Sequence, residues 1–246
     1  MKPLCVLLHG YPNNTLVWKD QLPMLKEKYQ ILNLALPGSE TGHVERDQLK
    51  LNRLITTIVQ EIDSHNAQEI ILIGHDIGAF ILSEVSRRFG PMVKAQIFLA
   101  GMDFPLFRER LRTSPQFLKS WYVLLFQMPL LPEKLVPTFR KRLSREIYKD
   151  SPDLSDEAPQ GFTPVAIYRE LKNGFRLSDE QKRSETPTLF LFGENDRFIL
   201  TPKEDQIAEY YKEATVKVIP GGHWFMRENA SSVNETINNF LKAEQL

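Results

Sequence analysis

Short apolar runs alternate along this chain with longer stretches whose apolar positions recur every three or four residues. A run that is apolar on both of its faces suits a strand covered on both sides, and the alternation predicts a mostly parallel sheet with crossover helices. Six strands are expected, at Leu4–Leu8, Gln30–Ala35, Glu69–Ile73, Ala95–Ala100, Thr188–Phe192 and Val216–Ile219. Between them, Leu51, Leu54, Ile55, Ile58, Val59 and Ile62 form one stripe of a helix expected over Arg46–Ser64. A second helix is expected from just after Asp76 to Phe89, where Gly90 and Pro91 stop it. The alternation fails between Met102 and Ser184, a stretch with several prolines, dense Arg and Lys and an apolar patch from Trp121 to Leu131. The expected organisation is therefore an α/β core of residues 1–101 and 185–246, with a helical cap or lid of residues 102–184 inserted between the fourth and fifth strands. The cluster Arg140, Lys141, Arg142 and Arg145 is expected to be a solvated helix face.

Composition narrows the partners. A chain of 246 residues fits one domain with a modest insertion. Acidic and basic side chains number 31 each, so no long-range field draws the molecule to nucleic acid or to an anionic membrane. A small neutral substrate is expected instead, and the protein as a monomer or homodimer. The apolar stretch near Met1 is too short for a secretory signal and no run reaches a membrane span, so a cytoplasmic location is expected. Cys5, the sole cysteine, lies in an apolar run and is expected to be a small core residue.

The candidate chemistry begins after the third strand, at Gly74-His75-Asp76-Ile77-Gly78-Ala79. Strand, sharp turn and helix with small residues two before and two after the central residue make a nucleophile elbow, here holding Asp76. An aspartate in that place can also simply cap the helix. His9-Gly10-Tyr11-Pro12 ends the first strand at the sheet's carboxyl edge, where the backbone N–H of Tyr11, with that of Ile77, can form an oxyanion hole. His9 and His75 belong to these motif loops, whereas His43 and His65 lack a supporting pattern and are expected at the surface. His223, in Gly221-Gly222-His223-Trp224, follows the last strand and completes the chain order nucleophile, acid, histidine. Asp196 is the expected acid, with Asp103 and Glu194 as rivals.

With these motifs the sequence resembles the epoxide hydrolase branch of the α/β-hydrolase superfamily, whose wider group includes the haloalkane dehalogenases. The likeness is carried by His-Gly-Tyr-Pro at 9–12, Trp18 with Gln21-Leu22-Pro23, Gly-His-Asp-Ile-Gly-Ala at 74–79, Gly-Gly-His-Trp at 221–224, the segment from Trp121 to Pro129, and Tyr168-Arg169. It implies the α/β-hydrolase fold, truncated to about six strands because two strands commonly precede the first one seen here. It also implies that Tyr122 and Tyr168 point from the cap into the site. A phenol stays protonated at neutral pH and can donate to an epoxide oxygen as the C–O bond breaks. Ile77 stands where relatives often have Trp, and Tyr11 where some have Asn, so neither halide donor of the dehalogenases is evident. Leu36-Pro37-Gly38-Ser39 also departs from the branch's usual turn.

The expected reaction is attack of Asp76 on an sp³ carbon, giving an ester that water activated by His223 hydrolyses, with release of a vicinal diol. A carboxylate nucleophile suits such a substrate, because its alkyl ester keeps a carbonyl for water to attack. No metal or organic cofactor is expected. The apolar cap, including Trp121 and Phe126 as candidate substrate-binding residues, points to a small lipophilic substrate. A haloalkane dehalogenase using the same aspartate, or a non-catalytic binding protein on this fold, are the alternatives.

Overall fold

The computed structural model describes residues 2–40, 44–135, 165–177 and 183–246. His43 and the Arg140, Lys141, Arg142 and Arg145 cluster lie outside the described residues. Six strands, β1 (Leu4–Leu8), β2 (Gln30–Leu34), β3 (Ile70–His75), β4 (Val93–Leu99), β5 (Thr188–Gly193) and β6 (Ala214–Ile219), form one sheet in the order β2-β1-β3-β4-β5-β6. Every neighbouring pair is parallel. All six strands therefore end at one edge, where the motif loops gather.

Alternation along the strands sorts their side chains between two cores. Leu4, Val6, Leu8, Ile70, Leu72, Phe190 and Phe192 face one side. There they meet α2 (Leu51–Ser64) through Leu54, Ile55, Ile58 and Ile62, and α3 (Ile77–Phe89), which follow α1 (Leu22–Lys28) in the chain. Cys5, Leu7, Ile71, Ile73, Leu189 and Leu191 face the other side, with Trp18 and with Leu25 of α1. Full burial of one such Leu or Ile stabilises by about 1.5–3 kcal/mol, which is why both faces of the sheet must be apolar.

The chain between β4 and β5 is helical where described. It holds α4 (Phe104–Thr113), α5 (Gln116–Lys119), α6 (Trp121–Phe126), α7 (Ile167–Leu171) and α8 (Gly174–Leu177). After β5 come α9 (Glu204–Tyr210), α10 (Phe225–Glu228) and α11 (Ala230–Ala243), the last adding Val233, Ile237 and Leu241 to the second core. No described helix is long and apolar enough to cross a membrane.

One expected helix is two. Arg46–Leu49 is a separate 3₁₀ turn, closed by the Glu45 N–H donating to Gln48 Oε1 at 3.0 Å, and Lys50 is extended (φ −60°, ψ 127°) before α2 begins. Leu49 and Leu51 are buried on either side of this break, so the apolar pattern runs through it unmarked.

Candidate active site

The turn from β3 into α3 is strained. Asp76 has φ 51° and ψ −123°, a region that side-chain-bearing residues rarely occupy, and Gly90 takes nearly the same angles, 51° and −124°. Close packing holds it there. A Cβ on Gly78 would lie 2.1 Å from the Leu8 carbonyl oxygen, one on Gly74 2.6 Å from the Ala79 backbone, and one on Gly10 2.4 Å from Asp76 Cβ. The Asp76 N–H donates to Leu99 O at 3.0 Å, tying the turn to β4.

The two oxygens of Asp76 have unlike surroundings. Oδ1 accepts from the backbone N–H of Ile77 at 2.6 Å and from that of Tyr11 at a longer 3.4 Å. Oδ2 lies 3.4 Å from Nε2 of His223, and both side chains are buried. The expected N–H pair thus converges on one carboxylate oxygen and leaves the other facing the histidine.

His223 Nδ1 donates to Asp196 Oδ2 at 2.7 Å. The other oxygen of Asp196 accepts from the N–H groups of Phe198 at 2.7 Å and Ile199 at 3.0 Å. Burial opposes a charge on His223, but the charges and hydrogen bonds of Asp196 and Asp76 outweigh it and push its pKa up to about 10. Asp196 shifts the complementary way: burial raises it, and His223 with the two N–H donors brings it below the usual carboxylate range. The rivals lie elsewhere. Asp103 caps α4 through the Leu106 N–H at 3.0 Å and sits 3.6 Å from Nη2 of Arg87, while Glu194 is exposed.

Tyr122 of α6 and Tyr168 of α7 come together over this arrangement, with ring centroids 6.1 Å apart. Burial raises the pKa of both phenols, and the charge of Asp76 raises them further. Tyr168 also meets the Tyr11 ring at 5.4 Å and the Phe126 ring at 5.0 Å. The two helices are joined by Gln127 Nε2 donating to Tyr168 O at 3.1 Å and by Arg169 Nη1 donating to the carbonyls of Phe126 and Met128, both at 3.0 Å. Trp121 departs from expectation. It is 63% exposed, turned away from the ring cluster that its neighbour Tyr122 joins.

A family model described as the alpha/beta hydrolase family matches residues 5–236. The chain belongs to that family. It falls in the epoxide hydrolase branch: it is 31% identical to epoxide hydrolase 4 of Homo sapiens, over 99% of this chain and 73% of that protein. Similarity to epoxide hydrolase 3 of Xenopus tropicalis is 27% over 99% and 72%. In fold, it matches a crystal structure of an epoxide hydrolase from Bacillus megaterium in complex with an inhibitor, at a TM-score of 0.81 and 21% identity, over 98% of this chain and 94% of that one.

In this hydrolase, three residues around the site have roles that the motifs alone leave unassigned. His9 Nδ1 donates to Gly10 O at 2.8 Å, while Nε2 accepts from the Leu36 N–H at 3.0 Å and contacts Ser39 Oγ at 3.1 Å, so His9 pins the loop after β2 to the one after β1. Burial lowers its pKa to about 4 and keeps it neutral. His75 Nε2 donates to the carbonyl of His223 at 3.1 Å; burial, with the neighbouring His223 charge, lowers its pKa to about 3. Phe198, whose only signal in the sequence is its place two residues after Asp196, packs its ring 5.0 Å from His223 and 5.7 Å from Tyr122.

Proposed function

We propose that this hydrolase opens lipophilic epoxides to vicinal diols through a covalent ester on Asp76, with residues 102–184 as the cap over the site. The observation that carries the reading is the asymmetry of the Asp76 carboxylate, whose Oδ1 accepts two backbone N–H bonds while Oδ2 faces His223. Oδ2 attacks an epoxide carbon, the C–O bond breaks, and a cap phenol, Tyr122 or Tyr168, gives its proton to the departing oxygen. Buried phenols whose pKa is raised hold that proton until an alkoxide forms. Esterification removes the Asp76 charge, and with it one cause of the high His223 pKa. His223, oriented by Asp196, passes its proton through solvent to the tyrosinate and then takes one from water, and the hydroxide attacks Cγ of Asp76. Negative charge gathers on Oδ1, between the N–H groups of Ile77 and Tyr11. The intermediate collapses by expelling Oδ2 with the diol, which takes the proton from His223; the carboxyl proton then returns through solvent to His223.

Phe126 and Phe198 supply aromatic walls suited to a lipophilic substrate. The buried free thiol of Cys5 fits a reducing, cytoplasmic compartment.

The test is the His223→Gln variant incubated with 1,2-epoxyhexane or styrene oxide and read by intact mass. A gain of one whole epoxide, mapped to Asp76 and absent when Asp76→Asn is added, is expected. An adduct formed only from haloalkanes, with the alkyl group gained and halide lost, or no adduct at all, contradicts the proposal.

A further inference from the structure

We infer that Gln116 is a positioning residue for the catalytic pair, holding the loop that carries Asp196 so that hydrolysis of the ester depends on it. The inference rests on the proposed roles of Asp196 and His223. Gln116, on α5 of the insertion, is fully buried. Its Oε1 accepts from the Leu200 N–H at 2.8 Å, and Nε2 donates to Phe198 O at 2.8 Å and to Ser120 Oγ at 3.0 Å. One backbone acceptor and one backbone donor fix the orientation of the carboxamide, and both of its amide hydrogens are used.

Neighbours in the insertion hold the same loop. Lys119 Nζ donates to Asp196 O, and Arg110 Nη2 donates to Leu200 O at 3.1 Å. The main chain from Asp196 to Leu200 is therefore gripped from α4 and α5, while the N–H groups of Phe198 and Ile199 turn inward to Asp196 Oδ1. That leaves Asp196 Oδ2 for His223. Phe198, gripped through its carbonyl, lays its ring against His223. Gln116 ties the loop at two points two residues apart, once as acceptor and once as donor, and so sets its shape.

The two halves of the reaction separate a positioning role from a merely structural one. Alkylation needs Asp76 and a cap phenol, whereas ester hydrolysis needs His223 held by Asp196. The test uses Gln116→Met, similar in size without the hydrogen bonds, and Gln116→Glu, which keeps the acceptor and loses the donors. Single-turnover alkylation by 1,2-epoxyhexane and ester build-up are followed by quenched intact mass, and the low-field NMR resonance of the His223 Nδ1 proton is recorded without substrate. In Gln116→Met, alkylation is expected to stay within about twofold of wild type while ester hydrolysis slows about tenfold or more, or roughly 1.4 kcal/mol of barrier. The ester then accumulates and the His223 proton resonance weakens by exchange; Gln116→Glu falls between.

Equal loss in both half-reactions, or no ester build-up with an unchanged resonance, overturns the inference. Failure of wild type to alkylate contradicts the proposed function instead, and the resonance alone then decides the role of Gln116. Should Gln116→Met not fold, Gln116→Glu and Lys119→Met carry the same readouts.

Discussion

Asp76 is one of the groups that set the charge of His223. The 3.4 Å contact between Oδ2 and Nε2 adds to the larger effect of Asp196 in holding the His223 pKa up and, on the proposed mechanism, is lost once the ester forms, which frees His223 to act as a base. Asp76→Asn is accordingly expected to lower the NMR titration midpoint of the His223 ring, with Asp196 still holding it above an ordinary histidine; an unchanged midpoint would mean that Asp76 exerts no such control. Asp76 and His223 were legible in the sequence because each sits in a local motif next to a strand end. Asp196 was favoured for its place after the fifth strand; Asp103 also follows a strand, and only the approach of separate loops brings Asp196 to His223. Trp121 and Tyr122 show a different limit. Adjacent helix positions point about 100° apart, and a segment apolar on all sides gives no polar face from which to read which ring turns inward.

At the scale of elements, the β3–α3 elbow is held by contacts that leave no room for side chains. Gly78→Ala is expected to cost about 3 kcal/mol or more in urea unfolding, because the new Cβ would meet backbone at the Leu8 carbonyl, 2.1 Å away, which cannot swing aside. Gly90→Ala is the informative comparison. Nothing lies within 4 Å of its Cβ position, so its cost is backbone strain alone, about 1–3 kcal/mol, as a φ of 51° implies. Equal stability of Gly78→Ala and wild type would contradict the packing described for the elbow. The strands were legible because alternation within each one serves two cores, and the sequence errs there only at strand ends. The break at Lys50 was not, because a 3₁₀ turn places Leu49 on the same apolar side as the first residues of α2.

For the whole molecule, the buried histidines act in opposite directions on stability. His9 and His75 stay neutral down to about 4 and about 3, so below pH 6.5 the unfolded chain takes up protons that the folded chain refuses, and stability falls with falling pH. His223 holds its proton up to about 10, so its contribution is complete below pH 6.5 and is lost as pH rises through that range. The Tm is expected to peak near pH 6.5, and His223→Gln to flatten only the alkaline side; a Tm that climbs steadily to pH 10 would contradict this. The parallel sheet was legible at this scale, whereas the segment between β4 and β5 was legible only as a failure of strand periodicity, because its short described helices take their geometry from contacts with the core loops rather than from their own pattern. The central claim, that an Asp76 oxygen enters the product, is tested most directly by a single turnover of 1,2-epoxyhexane with excess enzyme in ¹⁸O-labelled water. The account predicts a first-turnover diol free of ¹⁸O and one ¹⁸O gained in the peptide bearing Asp76; ¹⁸O in that first diol, with an unlabelled Asp76, would contradict it.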